Sequence, residues 1–596
     1  MFAKVKGRLA ELRAKLRDEL GGANRALVVV KIAGVLAFLL GTNTARPRMG
    51  LVAWAIVGSI WAIGVVAVLH VAFFGRIVGR VVWTVMLVAA AFVGASFHVI
   101  FDLALNLFDL DKMLGNVGDA NTVLPFYAPM LVAPAAFCAI GLVAINMPPF
   151  AKSSRARIDL KGRLRHALGQ ATPIFVIVAV LLLKRGEATN GFAVQHSIWS
   201  FVLVLAGERV VRGPKPARAE VTMTPSAKRP FKNVIVVMDE SGRGASLDLN
   251  GEGGVETGLK GRPDAVSFGI MCSIANCSYE SNVSFRFGVG REGYLDQLYS
   301  NPSMWAYAKK AGYDTYYLDA QRFDGRLQSG MDAKELELVD RHIQLGAGVL
   351  PEERDVRLAE LVREVLRDQA GKPSFMYVQK MGSHFPYEGK YPADQAVAQP
   401  TMERTYFGTE ADPRPSRMKQ ASEDKAPDIR LRFKNSYDNS LRWNTKRFFE
   451  IVLDGLDMSE TVIVFMADHG QDLHQDGRAG FNTHCSTGSD AHPDEGRTFL
   501  VLFTHDQEKL AAFREAAAAH YDKTSQFSVF PSMLEWMGYP REQIAANEHF
   551  DPPLDAPPAP DNQRFISKYF VRLGAKTIWS SCALPASAKV SSGPAP

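Results

Sequence analysis

The chain has 596 residues, which is more than one hydrophobic core normally organises, so we expect at least two domains. The net charge of +6 is small for this length and does not indicate a nucleic-acid-binding protein, in which a clustered basic face would be expected. Hydrophobic residues make up 47% and charged residues 22%, but these averages combine two unlike parts. Long apolar runs precede residue 210, and a sequence with the balance of a globular domain follows it.

Five apolar runs in the first part predict membrane-spanning helices. They cover residues 26–42, 51–74, 81–101, 123–147 and 166–184. The second, third and fourth runs each supply about the 20 apolar residues that the core of a bilayer requires. The first and fifth runs are shorter, and Lys31 near the start of the first can place its ammonium group at the membrane interface.

The distribution of charge predicts the orientation of these helices. Lysine and arginine are concentrated before residue 26 and in the loop 152–165, which indicates that both segments are cytoplasmic. The loop after the third run is acidic and is expected outside, and five spans leave the second part of the chain outside as well. A sixth span at 195–206 would reverse this orientation. That run has only about half of the required length, so an interfacial amphipathic helix is expected there.

These patterns divide the chain into four segments. We predict a transmembrane domain with a basic cytoplasmic N-terminus at 1–207, a linker rich in Arg, Lys and Pro at 208–230, a soluble domain at 231–545 and a C-terminal extension at 546–596. No function is assigned to the extension. Four of the five cysteines follow residue 230, where disulfides can form if this part is exported. Their pairing cannot be read from the sequence, and buried free thiols are an equal alternative.

The soluble part alternates short β-rich runs with helix-like stretches. The predicted strands cover 233–238, 314–318, 374–378, 461–466 and 498–503. The predicted helices cover 301–312, 354–370, 440–456 and 507–522. This alternation predicts an α/β domain with a mainly parallel sheet sandwiched by helices. Ligands of such domains bind beyond the carboxyl ends of the strands, so the side chains directly after each strand are the first candidates for a site.

Acidic and imidazole side chains follow several of these strands. Glu240 comes after the first strand, His384 after the third, and Asp468 and His469 after the fourth. Each residue alone could be a helix cap or an ordinary hydrogen-bonded side chain, so the prediction depends on their shared position. Carboxylate and imidazole ligands together suit Zn²⁺.

A zinc site that performs group transfer also requires a nucleophile. The segment 271–282 offers two candidate hydroxyls, Ser278 and Ser281. A serine hydroxyl is a poor nucleophile near neutral pH, and a bound zinc ion activates it by lowering its pKa. At this point the residues indicate a metal-dependent enzyme and leave the choice of serine open.

Short motifs stand in a fixed order along the soluble part. They read Glu-Ser-Gly-Arg at 240–243 with Leu-Asn-Gly at 249–251, Lys-Met-Gly-Ser-His at 380–384, Asn-Ser-Tyr-Asp-Asn-Ser at 435–440, Ala-Asp-His-Gly at 467–470 and Thr-His at 483–484. In this order they resemble the signature segments of the phosphoethanolamine transferases, which belong to the alkaline phosphatase and sulfatase superfamily. The residues 111–117 faintly resemble that family's membrane-proximal substrate segment.

The resemblance implies roles for particular residues. The metal ligands would be Glu240, Ser278, Asp468 and His469, holding one or two zinc ions. The catalytic residues would be Ser278 as the nucleophile together with His384 and His484. The substrate-binding residues would be Arg243, Asn116, His384 and His484.

The resemblance also implies a function. A multi-pass protein of the bacterial inner membrane, with 231–545 as a sulfatase-like catalytic domain in the periplasm, would take phosphoethanolamine from phosphatidylethanolamine. It would pass the group through a phospho-serine intermediate to lipid A or a surface glycan. The alternatives are a phosphoglycerol transferase, a phosphodiesterase or sulfatase-like hydrolase on the same fold, and an inactive protein that binds a lipid or a partner.

Several departures from the family pattern, among them a reduced set of cysteines, separate this chain from its best-known members. The nucleophile is Ser278 rather than threonine, Asp239 replaces a glycine, and Gln471 replaces a glutamate. Asn282 stands near the position of a missing proline. The acceptor is therefore not carried over from those members.

Overall fold

The computed structural model describes most of the chain and divides it, near residue 213, into two compact units. The described residues are 24–43, 51–101, 105, 110, 113–114, 128–151, 171–184, 194–212, 217–323, 325–368, 371–402, 427–475, 483–486, 491–568 and 577–583. Asn116, which the resemblance assigns to substrate binding, lies outside these residues.

The first unit is helical. Its helices are Arg25–Gly41, Leu51–Phe74, Ile77–Phe101, Val132–Asn146, Thr172–Lys184 and Val194–Arg212, with a short 3-10 helix at Ala128–Leu131. Among the residues that the structure describes, one helical stretch, Ile77–Val99, is long and apolar enough to cross a membrane. The apolar stretches in the helices at 51–74, 132–146 and 194–212 are shorter. Five membrane spans therefore remain a prediction.

Lys31 hydrogen-bonds to the C-terminal ends of two other helices of the first unit. Its side chain is fully buried, and its ammonium group donates hydrogen bonds to the carbonyl oxygens of Ala72 at 2.7 Å, Met147 at 2.7 Å and Pro149 at 3.1 Å. Carbonyl groups at the C-terminal ends of helices lack intrahelical partners, so this one cation satisfies groups from two helix ends.

The second unit is built on a seven-stranded sheet. Its strands are β1 Asn233–Asp239, β2 Ala265–Cys272, β3 Asp314–Asp319, β4 Arg341–Gln344, β5 Ser374–Gln379, β6 Thr461–Ala467 and β7 Arg497–Phe503. Their order is β2-β7-β6-β1-β5-β3-β4, and only the pairs that include β7 are antiparallel. The prediction of a mainly parallel sheet is confirmed.

Helices flank the sheet. They are Ser278–Arg286, Tyr294–Ser300, Met304–Lys310, Ala333–Leu336, Pro351–Asp368, Pro427–Val452, Pro493–Gly496, Gln507–His520, Val529–Trp536 and Arg541–Ala545. The predicted helix 440–456 begins earlier, at Pro427, and the predicted helix 301–312 is shorter at both ends.

Side chains alternate between the two faces of the sheet, as expected for strands. Met376 and Val378 of β5 join one core with the helices Pro351–Asp368 and Pro427–Val452. On the opposite face, Tyr377 of β5 contacts aromatic rings of Phe285 and Trp305, with ring centroids 6.5 and 6.1 Å apart. Both faces are buried, which explains the continuous apolar runs in the strand sequences.

Two disulfides join distant parts of the second unit. Cys272 at the end of β2 is bonded to Cys582, and Cys277 is bonded to Cys485. Cys582 follows a two-stranded hairpin, β8 Arg564–Lys568 and β9 Ile578–Ser581. Part of the predicted C-terminal extension is therefore covalently tied to the sheet of the second unit.

Candidate metal centre

The neighbouring strands β1 and β6 bring three side chains together. The two strands run parallel with Asp239 beside Ala467, so the residues that follow them emerge at the same edge of the sheet. The backbone N–H of Asp468 donates to the carbonyl oxygen of Asp239 at 3.0 Å. As a result, ligand atoms of Glu240, Asp468 and His469 all lie within 4.8 Å of one another, and all three residues are buried.

Ser278 is the fourth member of this cluster and comes from a different segment of the chain. It is the first residue of the helix Ser278–Arg286, which follows β2 after a short turn. Its hydroxyl donates to Glu240 Oε1 at 3.0 Å and lies 3.1 Å from His469 Nε2. Ser278 is half-buried, so the hydroxyl can meet a substrate. The second candidate, Ser281, is fully buried and hydrogen-bonds to the backbone of Ala275.

The electrostatics of the cluster favour a bound cation. Burial and the charge of Glu240 raise the pKa of Asp468 to about 8. Burial opposes ionisation of Glu240, but the hydrogen bond from His469 and the nearby imidazoles hold its pKa well below the ordinary value. Burial lowers the pKa of His469, yet Asp468 and Glu240 together raise it to about 9. Protons held by Asp468 and His469 thus balance the charge of the cluster, and a divalent cation bound there would take the place of those protons.

The donor set fits zinc. Nδ1 of His469 lies 2.7 Å from the carbonyl oxygen of Gly470, which leaves Nε2 facing Glu240 at 3.5 Å and Asp468 at 3.8 Å. Zinc-bound histidines usually have their second nitrogen hydrogen-bonded in this way, because the bond fixes the ring orientation. Two carboxylates, one imidazole and one hydroxyl form a set that Zn²⁺ accepts.

Two amide side chains that were not predicted hold the acidic ligands. Gln321, two residues after β3, donates from Nε2 to Glu240 Oε2 at 3.2 Å and to the carbonyl oxygen of Lys380 at 2.7 Å. Asn282 donates to Asp468 Oδ2 at 3.2 Å, and its own Oδ1 accepts from the hydroxyl of Tyr377. Each amide bonds to one oxygen of a carboxylate, while the other oxygens, Glu240 Oε1 and Asp468 Oδ1, lie 3.5 and 3.8 Å from His469 Nε2.

The turn that carries Glu240 is fixed by two neighbouring segments. Ser241 has a left-handed backbone with φ of 59°, and its N–H donates to Asp468 Oδ1 at 3.0 Å. The hydroxyl of Tyr437 donates to the carbonyl oxygen of Ser241 and accepts from the N–H of Arg243, both at 2.8 Å. Gly382 lies against the same turn, and a Cβ there would meet the backbone nitrogen of Glu240 at 2.6 Å. The motifs at 380–384 and 435–440 therefore support the ligand turn.

The departures at 239 and 471 have partners in this structure. Asp239 forms a buried ion pair with Lys380 at 3.0 Å, and Asp355 lies 3.7 Å from the same ammonium group. Gln471 donates to the hydroxyl of Tyr387 at 2.6 Å. Asp239 therefore adds a carboxylate that is paired with Lys380, and Gln471 puts an amide in place of a carboxylate.

Three histidines form a row that begins at the cluster. The ring of His484 stacks on His469 with centroids 4.6 Å apart, and the ring of His384 lies 6.3 Å from His484. His469 is buried, His484 is half-buried and His384 is exposed. Imidazole groups therefore lead from the buried ligands to the surface, where a phosphate group could meet them.

Arg243 is paired within the protein. Its guanidinium donates to Asp494 Oδ2 at 2.8 and 3.2 Å. Asp494 also lies 3.3 Å from Arg497, so it joins two cations beside the ligand turn. These contacts give Arg243 a supporting position, and its role in substrate binding stays a prediction.

Comparison with known proteins identifies the fold on which this cluster is built. The sequence model of the sulfatase family matches residues 232–539. The chain belongs to the sulfatase family. The matched residues include all the strands of the large sheet and all four members of the cluster. Among curated protein sequences, none matches this chain.

This sulfatase-family chain is also similar to solved protein structures. The integral membrane protein lipooligosaccharide phosphoethanolamine transferase A from Neisseria meningitidis is similar, with a TM-score of 0.57 and 16% identity over 87% of this chain and 96% of that chain. At this identity the similarity shows a shared fold. The C-terminal periplasmic domain of EcEptC from Escherichia coli in complex with Zn has a TM-score of 0.42 and 17% identity, over 55% of this chain and 88% of that chain.

Proposed function

We propose that this chain is a zinc-dependent phosphoethanolamine transferase. It takes the headgroup of phosphatidylethanolamine and transfers it to an acceptor of the cell envelope, either lipid A or a surface glycan. The proposal is supported by the motif resemblance and by the shared fold with an integral membrane phosphoethanolamine transferase. The observation that carries it is the placement of the Ser278 hydroxyl within hydrogen-bond distance of both Glu240 and His469.

The four clustered side chains would hold the metal and the nucleophile together. Glu240, Asp468 and His469 supply two carboxylates and an imidazole, and Ser278 supplies the hydroxyl. A bound zinc ion lowers the pKa of this hydroxyl and neutralises charge on a phosphate group. Because Ser278 begins a helix, the N-terminal end of that helix adds further positive potential where an anionic phosphate would bind.

The reaction would proceed in two balanced steps. In the first, Ser278 Oγ forms a bond to phosphorus while the bond from phosphorus to the diacylglycerol oxygen breaks, and that oxygen takes up a proton. In the second, an acceptor oxygen bonds to phosphorus, the bond to Ser278 Oγ breaks, and the serine hydroxyl is restored. His384 and His484 would bind the phosphoryl oxygens or exchange these protons.

The location that we propose is the inner membrane of a bacterium, with several spans and with the second unit in the periplasm. The segments before residue 26 and at 152–165 are rich in Lys and Arg, which supports a cytoplasmic location for both segments. The two disulfides of the second unit support an oxidising compartment for that unit. An anchored catalytic domain also meets lipid donors at a higher effective concentration than a free domain would.

A covalent intermediate is the direct test of this function. The full-length protein in detergent is incubated with zinc and phosphatidylethanolamine in the absence of acceptor, and its peptides are analysed by mass spectrometry. The expected result is one phosphoethanolamine group on Ser278, with none in Ser278→Ala. Ser281→Ala is the matched control and should be labelled normally, because the Ser281 hydroxyl is fully buried and bonds to the backbone of Ala275.

Other outcomes separate the alternatives. A phosphoglycerol adduct formed from phosphatidylglycerol, with none from phosphatidylethanolamine, would replace the proposed donor. Release of free phosphoethanolamine into water would indicate a hydrolase. Absence of both an adduct and bound metal would favour an inactive binding protein.

A further inference from the structure

The disulfide Cys277–Cys485 joins the immediate chain neighbours of two candidate catalytic residues. Cys277 precedes Ser278, and Cys485 follows His484. The two cysteines are 208 residues apart in the sequence, so one covalent bond connects the serine side of the site with the histidine side. The sequence left the pairing of these cysteines open.

Hydrogen bonds reinforce this connection. The N–H of Cys485 donates to the carbonyl oxygen of Asn276 at 2.8 Å, and Asn276 Nδ2 donates to the carbonyl oxygen of Ser486 at 2.8 Å. Asn276 Nδ2 and the N–H of Ser486 also both donate to Glu495 Oε2, at 2.7 and 2.9 Å. We refer to Asn276, Cys277, Cys485, Ser486 and Glu495 as the junction.

The junction holds the backbone beside His484 in an unfavourable conformation. Cys485 has φ of 62°, in the left-handed region that non-glycine residues seldom adopt. Such a conformation persists when the surrounding contacts determine it. His484 directly precedes Cys485, and its ring stacks on His469 with centroids 4.6 Å apart while its Nδ1 lies 3.0 Å from the hydroxyl of Thr483.

We propose that the Cys277–Cys485 bond is a positioning device, which sets His484 in register with Ser278 and His469 for transfer. This inference rests on the proposed function, since it concerns the same site. It assigns to the disulfide an effect on turnover beyond its contribution to stability. The second disulfide, Cys272–Cys582, is expected to have no such effect, because neither of its cysteines is next in sequence to a candidate catalytic residue.

The two disulfides form a matched pair for an experiment. They close loops of 208 and 310 residues. Because the loop-closure entropy depends on the logarithm of the loop length, their effects on the unfolded chain are expected to be nearly equal. If removal of the two disulfides changes kcat by different amounts, the difference therefore reflects where each disulfide lies relative to the candidate catalytic residues.

The experiment compares Cys277→Ser/Cys485→Ser with Cys272→Ser/Cys582→Ser in the full-length protein. We expect the first double variant to lower kcat by about 10- to 100-fold with little change in KM, since displacement of a catalytic group by about 1 Å costs this much. The second double variant should stay within about twofold of the wild type. In a His484→Ala background, loss of Cys277–Cys485 should add almost nothing, because the two changes remove the same interaction.

Two further measurements test the junction, the first without an activity assay and the second without removal of a disulfide. Hydrogen exchange of the backbone amide of residue 485 should accelerate in Cys277→Ser/Cys485→Ser and stay unchanged in Cys272→Ser/Cys582→Ser. Glu495→Gln weakens the junction without removing a disulfide and should lower kcat in the same direction. If the wild type transfers no phosphoethanolamine, the proposed function fails, and the exchange measurement still tests the junction.

Three results would overturn the inference. The first is an equal loss of kcat in both double variants. The second is a loss of kcat from Cys277→Ser/Cys485→Ser that is as large in the His484→Ala background as in the wild type, which would show that the two changes act independently. The third is unchanged exchange at Cys485 after the disulfide is removed.

Discussion

The two sides of the candidate site are assembled by different means. Glu240, Asp468 and His469 follow the paired strands β1 and β6, so the hydrogen-bond register of the sheet sets their spacing. Ser278 and His484 come from a helix start and a separate short segment, and a disulfide joins their neighbours. The comparison indicates that the sheet edge positions the three candidate metal ligands, whereas a disulfide links the segments that carry Ser278 and His484.

The largest expected effects are on transfer, and zinc content should distinguish a variant of the sheet edge from a variant of Ser278. Asp468→Asn should abolish both zinc binding and transfer, because it removes a ligand from the sheet edge. Ser278→Ala should lower transfer by at least about 10³-fold while the protein retains zinc, since the three ligands at the sheet edge remain. Metal content and transfer rates of the two purified variants check this prediction. Loss of zinc from Ser278→Ala to the same extent as from Asp468→Asn would contradict the division.

Removal of the metal should lower the free energy of unfolding, because zinc bound by the three ligands at the sheet edge stabilises the native state. At zinc concentrations between about 100 and 1,000 times the dissociation constant, binding stabilises the native state by about 3–4 kcal/mol. A chelator should therefore lower the melting temperature of the wild type and of Ser278→Ala, and have no effect on Asp468→Asn. Thermal unfolding with and without chelator measures this. A wild-type protein indifferent to the chelator would argue against a metal centre.

The sequence predicted the sheet edge better than the rest of the fold. The strands β1, β5 and β6 are continuous apolar runs buried on both faces, which is the pattern that identifies parallel strands. Strand β2 was missed because Ser267 and Gly269 interrupt its apolar run, at the point where its register with β7 shifts. Strand β4 was missed because it is a short polar strand at the edge of the sheet.

The same contrast applies to the site. Glu240, Asp468 and His469 were found because they follow strands, and the same rule applied to β3 would have indicated Gln321. Asn282 lies four residues after Ser278 on one helix face, which makes it a neighbour of the proposed nucleophile. The pairing of Cys277 with Cys485 could not be predicted, because it depends on how distant segments meet.

Removing the amide that holds Glu240 should weaken the metal site without destroying it. We expect Gln321→Ala to reduce zinc affinity by about 10- to 100-fold, the usual cost of losing a residue that orients a metal ligand. Gln328→Ala is the matched control, because Gln328 belongs to the same loop and hydrogen-bonds to Asp319 rather than to Glu240. Competition with a chromophoric chelator measures both affinities. Equal affinities for the two variants would show that Gln321 does not orient the ligand.

The smallest expected effect concerns the turn beside Glu240. Gly382 has φ of 55°, and an added Cβ would meet backbone atoms of Glu240, so Gly382→Ala should lower the free energy of unfolding by about 1–3 kcal/mol. Gly389→Ala is the control, because a Cβ there meets nothing within 4 Å, and it should change stability by less than about 0.5 kcal/mol. Chemical denaturation of the two variants decides whether the turn is as tightly enclosed as the structure indicates.

The most direct test is to locate the metal in crystals of the zinc-loaded protein by anomalous X-ray scattering. The account predicts a zinc peak enclosed by the side chains of Glu240, Ser278, Asp468 and His469. A zinc peak at another place in the second unit, or a protein that binds no zinc when these four residues are intact, would contradict it.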